Sequence, residues 1–228
     1  MSTPPTPSTD QVRADFDRLA TLEGPGPDHN AVYHRFLLDH VPPRAGEALE
    51  VGCGRGEFAR ALARRAARVT AIDLSPEMIR IARERSVGLA NLEIVEADIL
   101  SFPLEESRYD YIASIAMLHH VEAGAVLVKL ARALRPGGRL ASLAVRSARG
   151  PLEHILALSA GGWMRLLSGR LRPDPAVHAA WAEHGRRERY LTYAEALSLG
   201  RAYLPRCTVR RHVLWRYSIV WAKPGGAA

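Results

Sequence analysis

Residues 48–59, Ala-Leu-Glu-Val-Gly-Cys-Gly-Arg-Gly-Glu-Phe-Ala, constrain this chain more than any other stretch. A short apolar run leads into Glu50, Gly52, Gly54 and Gly56, an acidic residue followed by alternating glycines. Beyond them Phe58, Leu62 and several alanines recur at helical spacing. A strand that turns sharply into a helix needs residues that tolerate unusual backbone angles, and a ligand can approach glycine without meeting a Cβ. A tight turn alone would account for the glycines, so the case for a ligand rests on the acids further along the chain.

Two more strands end in an acid. Val69-Thr70-Ala71-Ile72-Asp73 reads as a buried strand whose terminal carboxylate lies near the roughly 20-residue offset suited to gripping a ribose diol. Leu92-Glu93-Ile94-Val95 reads as a third strand, followed by Ala97-Asp98-Ile99. An acceptor and an apolar surface there suit an adenine ring. Asp73 and Asp98 could each merely cap the next helix. Three such strands at this spacing favour a nucleoside site.

On these residues the chain resembles the class I S-adenosylmethionine-dependent methyltransferases. Leu49 to Gly56 is similar to that family's first motif, Asp73 to its second-strand acid and Asp98-Ile99 to its adenine-side pair. Leu134-Arg135-Pro136-Gly137-Gly138-Arg139-Leu140 is similar to the turn into the family's fifth strand. The likeness spans roughly residues 28–146, and Arg210 to Trp221 resembles the closing hairpin of small-molecule methyltransferases from high-GC bacteria. It implies S-adenosyl-L-methionine as cofactor, held by Glu50, Gly52, Cys53, Gly54, Gly56, Asp73, Leu74, Met78, Asp98 and Ile99. A dinucleotide fits less well. Its third glycine would stand where Glu57 is, and Glu50 would repel a diphosphate while attracting the α-ammonium of a methionine moiety.

The expected fold is a doubly wound α/β sheet of seven strands, mostly parallel, with an antiparallel last strand. Strands separated by helical patterns pair in parallel through right-handed crossovers. Residues 1–9 read as a disordered Pro/Ser/Thr-rich tail and 10–228 as one methyltransferase domain, helical at 10–22. Asp28 or Asn30 is placed to cap a helix running to about Val41, before Pro42-Pro43. Ser75-Pro76-Glu77 opens another helix with Met78, Ile79 and Ala82 inward, and Tyr109–Ile115 and Arg139–Val145 are strands four and five. Thr192 and Glu195 form a capping box. Alternation at Cys207, Val209, Arg211 and at Tyr217, Ile219, Trp221 marks the closing pair.

Residues 147–190 break the alternation, with short apolar helices at Pro151–Leu158 and Trp163–Leu167 and another helix containing Trp181. They read as a helical lid inserted at the ligand end of strand five. A membrane-surface helix around Trp163, Leu166 and Leu167 is the alternative, and it is short for that work.

The charge of +7 invites a nucleic-acid reading, yet Lys129 and Lys223 are the chain's lysines and the rest of the basic count is arginine. That balance suits GC-rich coding more than phosphate contact. Arg60, Arg64, Arg65 and Arg68 are expected along one helix, as a solvated face. No Asn/Asp-Pro-Pro-aromatic run follows strand four to hold a flipped base. Cys53 and Cys207 give neither a disulfide framework nor a metal cluster, so no metal is expected. With no apolar run near 18 residues and no basic-then-apolar start, the expected location is cytoplasmic, without stable membrane insertion.

His119 and His120, just after strand four, are the candidate catalytic residues, because imidazole accepts a proton near neutral pH. One of them could equally pack beside the cofactor or bond backbone. His29, Asn30, Tyr33 and His34 form a second polar cluster, in which Asn30 and Tyr33 could close over the methionine carboxylate. The expectation is methyl transfer to a small-molecule acceptor. A non-catalytic adenosylmethionine or adenosylhomocysteine binder and an RNA methyltransferase are the alternatives.

Overall fold

Central strands of a parallel sheet are buried on both faces, as the carboxyl-terminal halves of β1 (Ala45–Val51), β2 (Ala66–Asp73) and β4 (Tyr109–Ile115) are. A computed structural model describes residues 8–22, 30–147 and 175–225. These strands join β3 (Leu92–Glu96), β5 (Leu134–Val145), β6 (Thr208–His212) and β7 (Arg216–Ala222) in one sheet of order β3-β2-β1-β4-β5-β7-β6. The first five strands run parallel, and β7 runs antiparallel to both β5 and β6. The strand order reverses between β1 and β4, which makes a crevice at their carboxyl ends.

Alternate residues feed two cores. Leu49, Val51, Ile112 and Leu140 point to the face covered by α5 (Ala123–Ala133) and α7 (Tyr193–Tyr203), where Leu127, Leu130 and Ala196 bury completely. Ala48, Val69, Tyr111, Ala113 and Ala141 point to the other face, against Leu37 of α2 (His34–Leu38) and Phe58 and Leu62 of α3 (Glu57–Leu62). The Tyr111 hydroxyl, wholly buried, donates to the Leu37 carbonyl at 2.8 Å.

Local signals act as expected at α4 (Pro76–Arg85), where Ser75 Oγ accepts from the Met78 N–H at 3.1 Å and Pro76 takes the first helical position. The box opening α7 is reciprocal: Thr192 Oγ1 accepts from Glu195 N–H, and Glu195 Oε2 from Thr192 N–H. Four expectations need correction. The helix near residue 30 starts as a 3₁₀ turn, Ala31–Tyr33, and ends at Leu38, because Pro42-Pro43 disfavours helical backbone just before it. Asn30 makes no capping bond; its Oδ1 accepts from Arg216 Nε at 3.1 Å. Strand five begins at Leu134, and α3 stops at Leu62, leaving Arg68 on β2. The first described helix, α1, spans Thr9–Leu22.

Of the insertion, α6 (Pro175–Arg187) is described, and it packs on α1 through Ala180 against Leu19 and Ala20. The expected helices at 151–158 and 163–167 lie outside the described residues, as do Asp28 and His29. The insertion's two ends meet: Ser147 N–H donates to the Leu191 carbonyl at 3.0 Å. No described helix is long and apolar enough to cross a membrane.

Candidate active site

The glycine turn is built by the end of β2. Gly52 N–H and Cys53 N–H both donate to the Ile72 carbonyl, at 2.9 and 3.0 Å, which folds the chain back over the neighbouring strand. Gly52, Gly54 and Gly56 have φ of +77°, +51° and +72°, backbone that L side chains rarely adopt. A Cβ on Gly52 would also stand 2.9 Å from Met117. Asp73 locks the turn from beneath, with Oδ2 accepting from Gly54 N–H at 2.7 Å and Oδ1 from Ser75 N–H at 3.0 Å. Burial pushes the Asp73 carboxyl up from its ordinary value, against the Ser75 and Gly54 N–H groups and the nearby His120 imidazole, which favour the anion.

The other expected cofactor residues divide. Glu50 is 2% exposed at the end of β1, beside Cys53, whose thiol is pushed well up by burial and by Asp73 and Glu50. Cys53 itself packs with Ala59, Ala71, Ile79 and Ala82, as a small core residue would. Leu74, half-buried, sits between Asp73 and the Ser75 cap. Asp98 turns the chain after β3, its Oδ1 accepting from Leu100 N–H, and Ile99 packs into the core while its carbonyl accepts from Lys129 Nζ at 2.7 Å. Met78 faces inward, packed with Leu19, Ala20 and Ala180. The Tyr33 hydroxyl donates to the Val213 carbonyl at 2.6 Å and its ring packs edge-on to His212. Tyr33 and Asn30 are therefore tied to the β6–β7 hairpin.

After β4 the chain makes a sharp turn at Ala116, φ +53°, into a short 3₁₀ segment, Leu118–His120. The His119 and His120 rings lie 3.9 Å apart between centroids. Burial holds the His119 imidazole well below its ordinary value, and His120, His184 and Arg216 push the same way. His120 Nδ1 lies 3.0 Å from Glu188 Oε1 but poorly aligned for a hydrogen bond. Around the pair gather His184 and Glu188 from the insertion, Tyr190 with its ring 5.1 Å from His119, and Phe16 of α1, edge-on to His120 at 5.2 Å. The pair of histidines was legible from its place after a strand. Phe16, His184, Glu188 and Tyr190 were not, since they reach the site from remote parts of the chain.

Helix α1 is the unexpected wall. Asp17 Oδ1 accepts from Ser75 Oγ at 2.5 Å, Arg55 donates to the Ala20 carbonyl, and Asp15 takes bonds from His184 Nδ1 and Arg187 at 3.1 and 2.9 Å. The helix thus bridges the glycine turn, the start of α4 and α6. Burial raises the Asp15 carboxyl, but bonds from His184, Gln11 and Arg187 outweigh it and set it below its ordinary value. A carboxyl lowered by folding stabilises fully above its unfolded value and loses that contribution as pH falls through the folded one. Amide exchange in α1 should therefore accelerate ahead of the sheet below about pH 4, where carboxylates begin to protonate; uniform acceleration would show that the clasp is not what holds α1.

Comparison with known proteins agrees with this geometry. A family model described as a methyltransferase domain matches residues 49–142. An uncharacterized methyltransferase of Mycobacterium bovis is 32% identical over 197 residues, covering 85% of this chain and 95% of that one. A ubiquinone biosynthesis O-methyltransferase of Xylella fastidiosa is 39% identical over 117 residues, 49% of this chain and 46% of that one. The geranyl diphosphate C-methyltransferase of Streptomyces coelicolor, solved with Mg2+, geranyl diphosphate and S-adenosyl-L-homocysteine, has the same fold, with TM-score 0.65, 14% identity, and coverage of 97% of this chain and 99% of that one. With its acid-locked glycine turn at the switch point of a seven-stranded sheet, the chain belongs to the class I S-adenosylmethionine-dependent methyltransferases.

Proposed function

We propose that this methyltransferase moves the methyl group to a small-molecule acceptor by direct in-line transfer. The observation that carries the reading is the covered polar cluster of His119, His120, His184 and Glu188 beside Asp73, roofed by Phe16 and α6. A roofed site of this kind suits a small acceptor better than a polymer. The basic surface agrees, since several of its arginines pair with acids: Arg80 with Glu77 and Glu84, Arg108 with Glu105, Arg187 with Glu183. The Xylella relative, named for ubiquinone biosynthesis, supports an acceptor of phenolic type.

The sulfonium leaves as a neutral thioether, so alignment and exclusion of water lower the barrier without covalent help. An acceptor hydroxyl must still lose its proton, and His119 and His120 are the proposed catalytic pair that faces it. The Asp73-braced turn, with Glu50, Asp98 and Ile99, holds the cofactor. Incubating the protein with S-adenosylmethionine and a panel of phenols, quinols, amines and transcribed RNA tests this, with adenosylhomocysteine release as readout. Release with a small hydroxylated aromatic is expected. Release with RNA alone, or cofactor binding without turnover on any acceptor, would overturn the reading.

A further inference from the structure

We infer that His119, His120 and Glu188 form a binding site for one divalent transition-metal ion. One ligand atom from each lies within 4.8 Å of the others. Among the described residues, buried His119 Nδ1, His120 Nδ1 and Glu188 Oε2 have no hydrogen-bond partner, the close contact being His120 Nδ1 to Glu188 Oε1 at 3.0 Å, although buried polar atoms are nearly always satisfied. The Glu188 and His120 side chains are 1% and 7% exposed, so solvent does not satisfy these atoms either.

The donor set selects the ion. Two imidazole nitrogens and one carboxylate suit zinc, iron(II) or cobalt(II), whereas magnesium and calcium prefer oxygen donors. Bond lengths of about 2.0–2.2 Å put tetrahedral ligand atoms roughly 3.5 Å apart, so modest side-chain rotation closes the site. An outer shell is present. Asp15 holds His184 Nδ1 at 3.1 Å, which turns His184 Nε2 toward Glu188 Oε1, 3.8 Å away. Carboxylate–histidine pairs of this kind orient metal ligands. Asp73, near His120, adds negative charge, and Arg216, near His119, opposes it.

Three protein ligands leave an open position for an acceptor oxygen. This catalytic part rests on the methyl-transfer reading above. The bound ion makes the acceptor hydroxyl more acidic, and its proton leaves to solvent. The resulting oxyanion forms the O–CH3 bond as the S–CH3 bond breaks, and its electron pair stays on sulfur as neutral adenosylhomocysteine. Under this assignment the imidazoles act as ligands, and the ion does the work of a base.

The test is titration of the full-length, untagged, EDTA-dialysed protein with Co2+, followed by visible absorption and by metal analysis after gel filtration. One Co2+ per chain is expected, with affinity at least tenfold weaker in Glu188→Gln and His120→Ala. Glu188→Gln preserves shape, and adenosylhomocysteine affinity measured on the same samples reports that the fold is intact. Binding unchanged in both variants, or no stoichiometric Co2+ in the wild type, overturns the site. Methyl transfer that persists without metal overturns its catalytic role, while metal binding without transfer to any acceptor leaves the site standing and removes the methyl-transfer reading.

Discussion

Turnover of the His120→Ala protein should fall by about 10²–10⁴-fold, the usual contribution of a positioned proton-transfer group. The loss is expected whether the imidazole takes the proton itself or holds the ion that releases it. The ring sits between Phe16 at 5.2 Å and His184 at 5.1 Å, and its Nδ1 faces Glu188, so truncation removes a chemical group from a tightly lined site. Affinity for adenosylhomocysteine should move much less, because Asp73 is held by hydrogen bonds from the Gly54 and Ser75 N–H groups, and His120 acts on it only through its charge. Initial rates set against calorimetric affinity check this. Wild-type rates would remove His120 from the chemistry, and collapsed affinity would move it into the cofactor site. His119→Ala is the companion variant, and its melting temperature must be followed because a buried ring leaves a cavity.

Asp73→Ala should weaken adenosylhomocysteine binding by about 1–3 kcal/mol, some 5- to 150-fold, the cost of leaving polar groups unpaired. Two losses combine. The Gly54 and Ser75 N–H groups lose their acceptor, so the turn is no longer held in its left-handed conformation. On the proposed assignment the ribose also loses a carboxylate. Asp73→Asn keeps one acceptor oxygen and should fall between the two. Calorimetry showing unchanged affinity, or tighter binding of NAD than of adenosylhomocysteine in the wild type, would remove Asp73 from the cofactor site.

The sheet was legible because its determinants are local. Strand four reads directly from the Tyr109–Ile115 run, and the Ser75-Pro76 and Thr192–Glu195 caps act over three residues. The glycine turn and Asp73 were legible for a similar reason, since a positive φ at three alternating positions leaves glycine as the natural choice. What the residues did not disclose is long-range. Asp73 was expected to serve a ribose, and the residues did not disclose that it braces Gly54. Tyr33 and Asn30 fitted a carboxylate clamp by helical spacing, and that spacing did not disclose the 3₁₀ turn or their bonds to Val213 and Arg216. Helix α1 was foreseen as a helix, yet nothing in its pattern said that Asp15, Phe16 and Asp17 would reach α6, His120 and Ser75. Such pairings depend on tertiary placement, which no periodicity encodes.

The pinch between Ser147 and Leu191 gives the segment between them the character of an exchangeable cassette. Its ends are already joined at the rim of the sheet, and closing a flexible loop costs only about 0.6 kcal/mol more for each doubling of its length. A relative can therefore lengthen, shorten or replace this stretch while the Gly54–Asp73 hydrogen bond of the glycine turn stays as it is. His184 and Glu188 travel inside the cassette, whereas His119 and His120 stay with β4. Grafting a foreign segment between 147 and 191 should thus retune which acceptor is methylated, leaving half of the histidine–carboxylate cluster in the scaffold and importing the other half.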